Sequence, residues 1–292
     1  MAYLESKAGN VPVQIYYEDL GKGRPIVLIH GWPLSGSMWE YQVPPLLSRG
    51  FRCITYDRRG FGKSEFPADG YDYNTMAGDL NALLDHLNLK DVTLVGFSMG
   101  GGEIAKYFSM YGGERISKVV LVSSVVPFML KTYDNPEGVP QEIFEQMEAG
   151  MKKDRPEFLL MFTKMFYGID GLNHPVSDAY INIAVSKAME SSPIATVMCA
   201  KAFATTDFRN DVTKINVPTL IIHGDKDKTV PIKATAMEAA KLISKSQLKI
   251  YEGEPHGLWF TQKEMLTDDL ANFANDTTTK RTVAGFTAGV GV

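Results

Sequence analysis

Short apolar runs recur along the chain: Pro25 to His30, Phe51 to Tyr56, Asp91 to Gly96, Ile116 to Val122, Val217 to His223 and Gln247 to Tyr251. Runs of this length without strict alternation are the pattern of strands buried on both faces. Between them, Met76 to Leu87 and Gly101 to Tyr111 carry apolar residues at helical spacing, and a last helix is expected over Thr261 to Asn275. The residues before Pro25 read as a polar start. Strands alternating with amphipathic helices imply right-handed βαβ units, hence an α/β fold with a mostly parallel central sheet flanked by helices.

From about residue 126 to residue 212 the strand pattern stops, and Met, Phe, Tyr and Ala recur at helical spacing between Pro136, Pro140, Pro156, Pro175 and Pro193. Because the strand pattern resumes at Val217, this block interrupts a single sheet. It is read as a helical cap over 126–212, inserted into a core made of 1–125 and 213–275. Residues 276–292 are rich in small residues without periodicity and are expected to form a disordered tail.

Composition narrows the partners. With 45% hydrophobic and 22% charged residues the chain can bury an ordinary core. Its 34 acidic and 30 basic side chains, with no long single-sign run, give no electrostatic reason to expect nucleic acid or an anionic membrane, so a small or neutral substrate fits better. Cys53 and Cys199 lie in apolar contexts outside any C-x-x-C or Cys/His cluster, which makes both free thiols and leaves no metal site expected. The start MAYLESKAGN lacks the pattern of a secretion signal, and no stretch reaches the roughly 18 apolar residues of a membrane span. A cytoplasmic location is the expectation.

The candidate chemistry begins at Gly96-Phe97-Ser98-Met99-Gly100, a G-x-S-x-G sequence directly after an apolar strand and before a helix. A glycine-rich turn of purely structural purpose could look the same, but this context is the one a serine nucleophile needs. The tight turn strains the serine backbone, demands residues without a Cβ on either side, and aims a helix N-terminus and the Met99 N–H at any oxyanion formed there. Of the five histidines, His256 lies in a loop after the last strand with acids ahead of it at a strand end, in the order serine, acid, histidine. Asp225 and Asp227 both follow the strand ending at His223; Asp227 is preferred, since an Asp directly after Gly is commonly a turn residue. His30-Gly31-Trp32-Pro33 follows the first strong strand and is placed to offer Trp32 N–H as the second oxyanion donor, with Trp32 walling a pocket. Tyr56 to Ser64 (YDRRGFGKS) lacks phosphate-loop spacing and is read as structural.

HGWPLSG, YDRRGFGKS, GFSMGGGE, TTDFR, HGDKDKTVP and EGEPHG together resemble the cofactor-free, non-haem haloperoxidase and aryl esterase branch of the α/β-hydrolases, over roughly residues 5 to 275. The resemblance implies the α/β-hydrolase fold, a triad of Ser98, Asp227 and His256, oxyanion donors at Trp32 and Met99, and no metal or organic cofactor. It further implies hydrolysis of small, often aromatic, carboxylic esters through an acyl-enzyme. Hydrogen peroxide can replace water in that family to release a peracid that oxidises halide. Pro33 after the oxyanion tryptophan matches members with that activity, and assembly into a homo-oligomer, a trimer or a hexamer, is implied as well. Phe162, Phe166 and Phe203 in the cap are candidates to line an apolar pocket with Trp32 and Pro33. A C–C bond hydrolase or lactonase could use the same triad, and substrate profiling separates these. A slow ligand receptor would give single-turnover labelling without steady-state product.

Overall fold

The computed structural model describes residues 2–276. The tail expected over 276–292 lies outside them apart from Asp276. The chain begins with β1 (Ala2–Ser6), β2 (Val13–Leu20), β3 (Pro25–Ile29), α1 (Val43–Ser48), β4 (Arg52–Tyr56), α2 (Tyr73–His86), β5 (Val92–Phe97), α3 (Met99–Tyr111) and β6 (Ile116–Val122). The helices α4 (Gln141–Lys153), α5 (Arg155–Phe166), α6 (Asp178–Met189), α7 (Pro193–Thr205) and α8 (Arg209–Val212) follow. The chain then returns through β7 (Thr219–Gly224), α9 (Ala236–Leu242), β8 (Ser246–Tyr251), α10 (Leu258–Thr261) and α11 (Lys263–Asn275). All the strands join one sheet in the order β1-β2-β4-β3-β5-β6-β7-β8. From β4 to β8 neighbouring strands are parallel, whereas β1 and β2 are added antiparallel at one edge.

This edge corrects the reading of a merely polar start. Val13, Ile15, Tyr16 and Tyr17 of β2, which pairs with β1 on one side and β4 on the other, are buried, while its end at Glu18, Asp19 and Leu20 stays exposed. The expected last helix begins two residues later, at Lys263, after the short α10. Gln262, at φ −122° and ψ 39°, leaves helical geometry and bends the chain between α10 and α11, and its side chain donates to Glu254 at 2.5 Å. At the sheet centre β5 is buried along its whole length, which is why its sequence shows no alternation.

Behind the carboxyl ends of β3 and β4 lies a buried polar hub built from the YDRRGFGKS segment. Arg58 donates to Glu103 of α3 through Nε at 2.5 Å and to the His30 carbonyl at 2.7 Å, and Tyr56 donates its hydroxyl to Glu103 at 2.5 Å. Arg59 pairs with Asp79 of α2 at 2.7 Å, and Ser6 of β1 donates to the same carboxylate. Because Glu103 is the only carboxylate hydrogen-bonded to Arg58 among the described residues, Glu103→Ala leaves a guanidinium buried without its counter-charge. Urea unfolding is expected to show a loss of about 3–5 kcal/mol, with a smaller loss for Glu103→Gln, whose amide oxygen can still accept.

Candidate active site

At the junction of β5 and α3, Ser98 takes φ 52° and ψ −116°, a conformation that costs a non-glycine residue about 1–3 kcal/mol. The flanking glycines make it possible: a Cβ on Gly96 would stand 2.7 Å from the Gly100 carbonyl oxygen, and one on Gly100 would stand 2.8 Å from that of Ile29. The turn is held by Ser98 N–H donating to Val122 O at 2.8 Å, and it leaves the hydroxyl facing a cavity in front of α3.

Two loops from the far end of the sheet complete the arrangement. His256 Nε2 lies 3.0 Å from Ser98 Oγ, and His256 Nδ1 lies 2.6 Å from Asp227 Oδ2. Asp227 Oδ1 accepts the backbone N–H groups of Thr229 and Val230 at 2.9 and 2.7 Å, so the carboxylate is clamped by the loop that carries it. Burial by itself would raise the Asp227 carboxyl, but the charge of His256 and hydrogen bonds from His223 and His256 outweigh it and hold the group below the usual carboxylate range. Asp225, by contrast, accepts Gly253 N–H at 2.6 Å on the outside of the turn.

His223 has a place that its position at a strand end did not reveal. It is buried, and its Nε2 stands 3.1 Å from Asp227 Oδ2 and 2.9 Å from Val230 O, while its Nδ1 has no partner among the described residues. Both Nε2 neighbours are acceptors, so Nε2 carries the proton and supports the same carboxylate oxygen that faces His256. His223→Leu is expected to lower kcat about ten-fold with little change in KM, and His223→Gln, which offers an amide N–H at the same reach, to recover most of it in steady-state assays.

On the other side of Ser98, a Cβ on Gly31 would come within 3.1 Å of the Ser98 Cβ, so the Gly31–Trp32 backbone runs directly beside the serine. Among the described residues the N–H groups of Trp32 and Met99 donate to no protein acceptor. Buried His30 orients this loop: its Nε2 accepts Arg58 N–H at 2.9 Å, which puts the proton on Nδ1, 2.8 Å from the Gly31 carbonyl. Burial first, and then the Arg58 charge, push this imidazole well below its ordinary range, so it stays neutral as that pattern requires. Asp57 accepts from Gly36 N–H and Lys63 N–H, both at 2.8 Å, and ties the loop to the polar hub.

Ser98 and His256 open into a cavity of about 100 Å³, lined otherwise by Trp32, Val125, Met129, Val139, Ile143, Phe144, Met147, Phe162, Met165 and Phe203, with Lys228, Thr229 and Val230. Trp32 donates its indole N–H to Thr196 O of α7 at 2.9 Å and packs edge-on against Phe162 and Phe203. Two residues expected in the pocket lie outside its wall. Phe166 packs edge-on against the His256 ring, with centroids 4.6 Å apart, and so braces the histidine, while Pro33 is buried behind Trp32 after a cis peptide bond. Phe162 and Phe166 stand one turn apart on the same face of α5, in ring contact with each other, and the one nearer the end of the helix lies over His256 instead of in the wall. Val125, Met129 and the α4 residues escaped the sequence reading because nothing local marks them as neighbours of Ser98.

Among the described residues no group of three or more His, Cys, Asp or Glu side chains is arranged to hold a metal ion, and no helix is long and apolar enough to cross a membrane. The chain matches the model of the alpha/beta hydrolase fold family over residues 24–262. It is 42% identical over 269 residues to a non-heme chloroperoxidase of Kitasatospora aureofaciens, covering 90% of this chain and 96% of that protein. It is 36% identical to a bifunctional esterase/perhydrolase of Acinetobacter calcoaceticus, covering 94% and 99% of the two chains. Among solved structures, a bromoperoxidase from Bacillus anthracis superposes with a TM-score of 0.90 at 47% identity, over 94% of this chain and 100% of that one.

Proposed function

The chain belongs to the α/β-hydrolase family, and we propose that it is a serine esterase that also forms peracids, with Ser98 as nucleophile, His256 as base and Asp227 as the acid that orients it. The observation that carries this reading is the hydrogen-bonded line from Asp227 Oδ2 through the His256 ring to Ser98 Oγ, opening into an apolar cavity. Ser98 attacks the ester carbonyl as its proton passes to His256 Nε2. The imidazolium is stabilised by Asp227, and the oxyanion is held by Trp32 N–H and Met99 N–H at the positive end of α3. His256 then protonates the departing alkoxide and deprotonates the second nucleophile, which resolves the acyl-enzyme. Water gives the acid; hydrogen peroxide gives the peracid, which can oxidise halide in solution, an activity whose counterpart the names of the chloroperoxidase and perhydrolase relatives describe.

The apolar wall favours small aryl or alkyl esters, with Lys228 and Thr229 as the polar part of the lining. Helices α4 to α8, entering between β6 and β7, act in this reading as a cap over 126–212 on a core of 1–125 and 213–275. A homo-oligomer remains part of the proposal by family resemblance. The test is p-nitrophenyl acetate turnover with and without hydrogen peroxide, with bromide and a halogenation indicator present. Steady release of p-nitrophenol, and bromination only when ester and peroxide are supplied together, is the expected result. Ester turnover without bromination would leave an esterase alone, and labelling of Ser98 without sustained turnover would replace the enzyme by a ligand receptor.

A further inference from the structure

The cavity in front of Ser98 is walled in part by thioethers. Met129, Met147 and Met165 reach it from three separate segments: the loop after β6, α4 and α5. Their exposures differ widely, since Met129 is 2% exposed and Met165 is 40% exposed. Their thioether sulfurs are the soft nucleophiles of the lining, whose other side chains, apart from Ser98, His256, Lys228 and the Trp32 indole, are apolar or hydroxylic.

A peracid released from the acyl-enzyme starts its path in this cavity. We propose that Met129, Met147 and Met165 are modification sites at which the enzyme's own peracid product oxidises it to methionine sulfoxide. The inference rests on the perhydrolase reading above. The sulfur lone pair attacks the terminal peroxy oxygen; an S–O bond forms as the O–O bond breaks, and the peroxy proton passes to the departing carboxylate. One thioether and one peracid become one sulfoxide and one carboxylic acid. Sulfur loses two electrons and the peroxide bond accepts them.

Sulfoxide formation turns a flexible apolar side chain into a polar, chiral one. The Ser98–His256–Asp227 line contains no sulfur, so the first consequence of oxidation is a poorer fit for apolar esters: KM rises while kcat holds.

The order of oxidation distinguishes this from attack by bulk oxidant. Met110, 45% exposed near the far end of α3, and Met265, 37% exposed on α11, line no part of the cavity. Bulk oxidant reaches them ahead of Met129, and peracid born at Ser98 reaches Met129 first. The experiment incubates the wild type with p-nitrophenyl acetate and hydrogen peroxide without halide, then quantifies each sulfoxide by peptide mass mapping. Peroxide alone on the wild type and added peracetic acid on Ser98→Ala serve as controls, and peracid formation is followed separately with the bromide indicator. The expected result is at least five-fold more Met129 sulfoxide during turnover than in either control, at a time when Met110 and Met265 are oxidised no more than in the controls. A several-fold rise in KM should accompany it, and Met129→Leu should reduce that rise relative to its own starting KM. If peracid forms and Met129 is oxidised no sooner than Met110, the inference is overturned while the perhydrolase reading stands. If no peracid forms, the reading fails and the inference with it.

Discussion

Ser98→Ala is expected to lower kcat for p-nitrophenyl acetate by a factor on the order of 10⁵ or more, leaving only what substrate binding and the oxyanion donors supply. Among the described residues no other hydroxyl stands in for it: Ser98 Oγ is the hydroxyl within hydrogen-bonding distance of His256 Nε2, and Ser123 directs its own to the His256 carbonyl. Alanine keeps the Cβ and hence the same strained turn, so the variant should unfold within about 1 kcal/mol of the wild type, the value of one hydrogen bond. Active-site titration with an organophosphorus ester should give one phosphorylated serine per chain in the wild type and none in the variant. Turnover by Ser98→Ala near the wild-type rate would sink the covalent mechanism.

The second large effect separates two carboxylates two positions apart. Asp227→Asn should cost about 10³ to 10⁴ in kcat, because an amide cannot stabilise the imidazolium and its NH₂ group, facing His256 Nδ1, forces the wrong tautomer. Asp225→Asn should change kcat by less than about three-fold, since an amide oxygen still accepts Gly253 N–H. The reverse outcome would assign the acid to Asp225. The pH behaviour follows from the same geometry. The folded Asp227 carboxyl lies below its unfolded value of 3.8, so its contribution to stability is complete well above that pH and is lost as the pH falls toward the folded value. The charge of Asp227 is therefore constant across the neutral range, and the wild-type kcat/KM profile should show no limb from it above about pH 5, measurable with a pH-stable ester.

These expectations draw on different kinds of information. The serine elbow was legible because its parts, Ser98, the two glycines and the start of α3, lie within a few positions of one another in the chain. The parallel sheet was legible for a similar reason, since β5, β6 and β7 are buried over nearly all their lengths and are therefore mostly apolar in sequence. Chain order and its loop after the last strand pointed to His256, and the turn habit of an Asp directly after Gly set Asp227 above Asp225; the side chains of Asp227 and His256 stand in line with Ser98.

The rest needed the chain to fold. Ser98 and His256 are 158 positions apart, and the contact of His223 with the Asp227 carboxylate depends on how the 224–230 turn curls back over the end of β7. The Arg58–Glu103 pair joins two segments 45 positions apart, and nothing near either residue names the other as its partner. On α5, Phe162 and Phe166 are one turn apart and alike in sequence, yet one lines the cavity and the other braces His256. Residue type and spacing settle backbone conformation and which face is buried, because those depend on near neighbours. Which wall of a cavity a buried side chain joins depends on where distant segments pack against it, and only the assembled fold sets that.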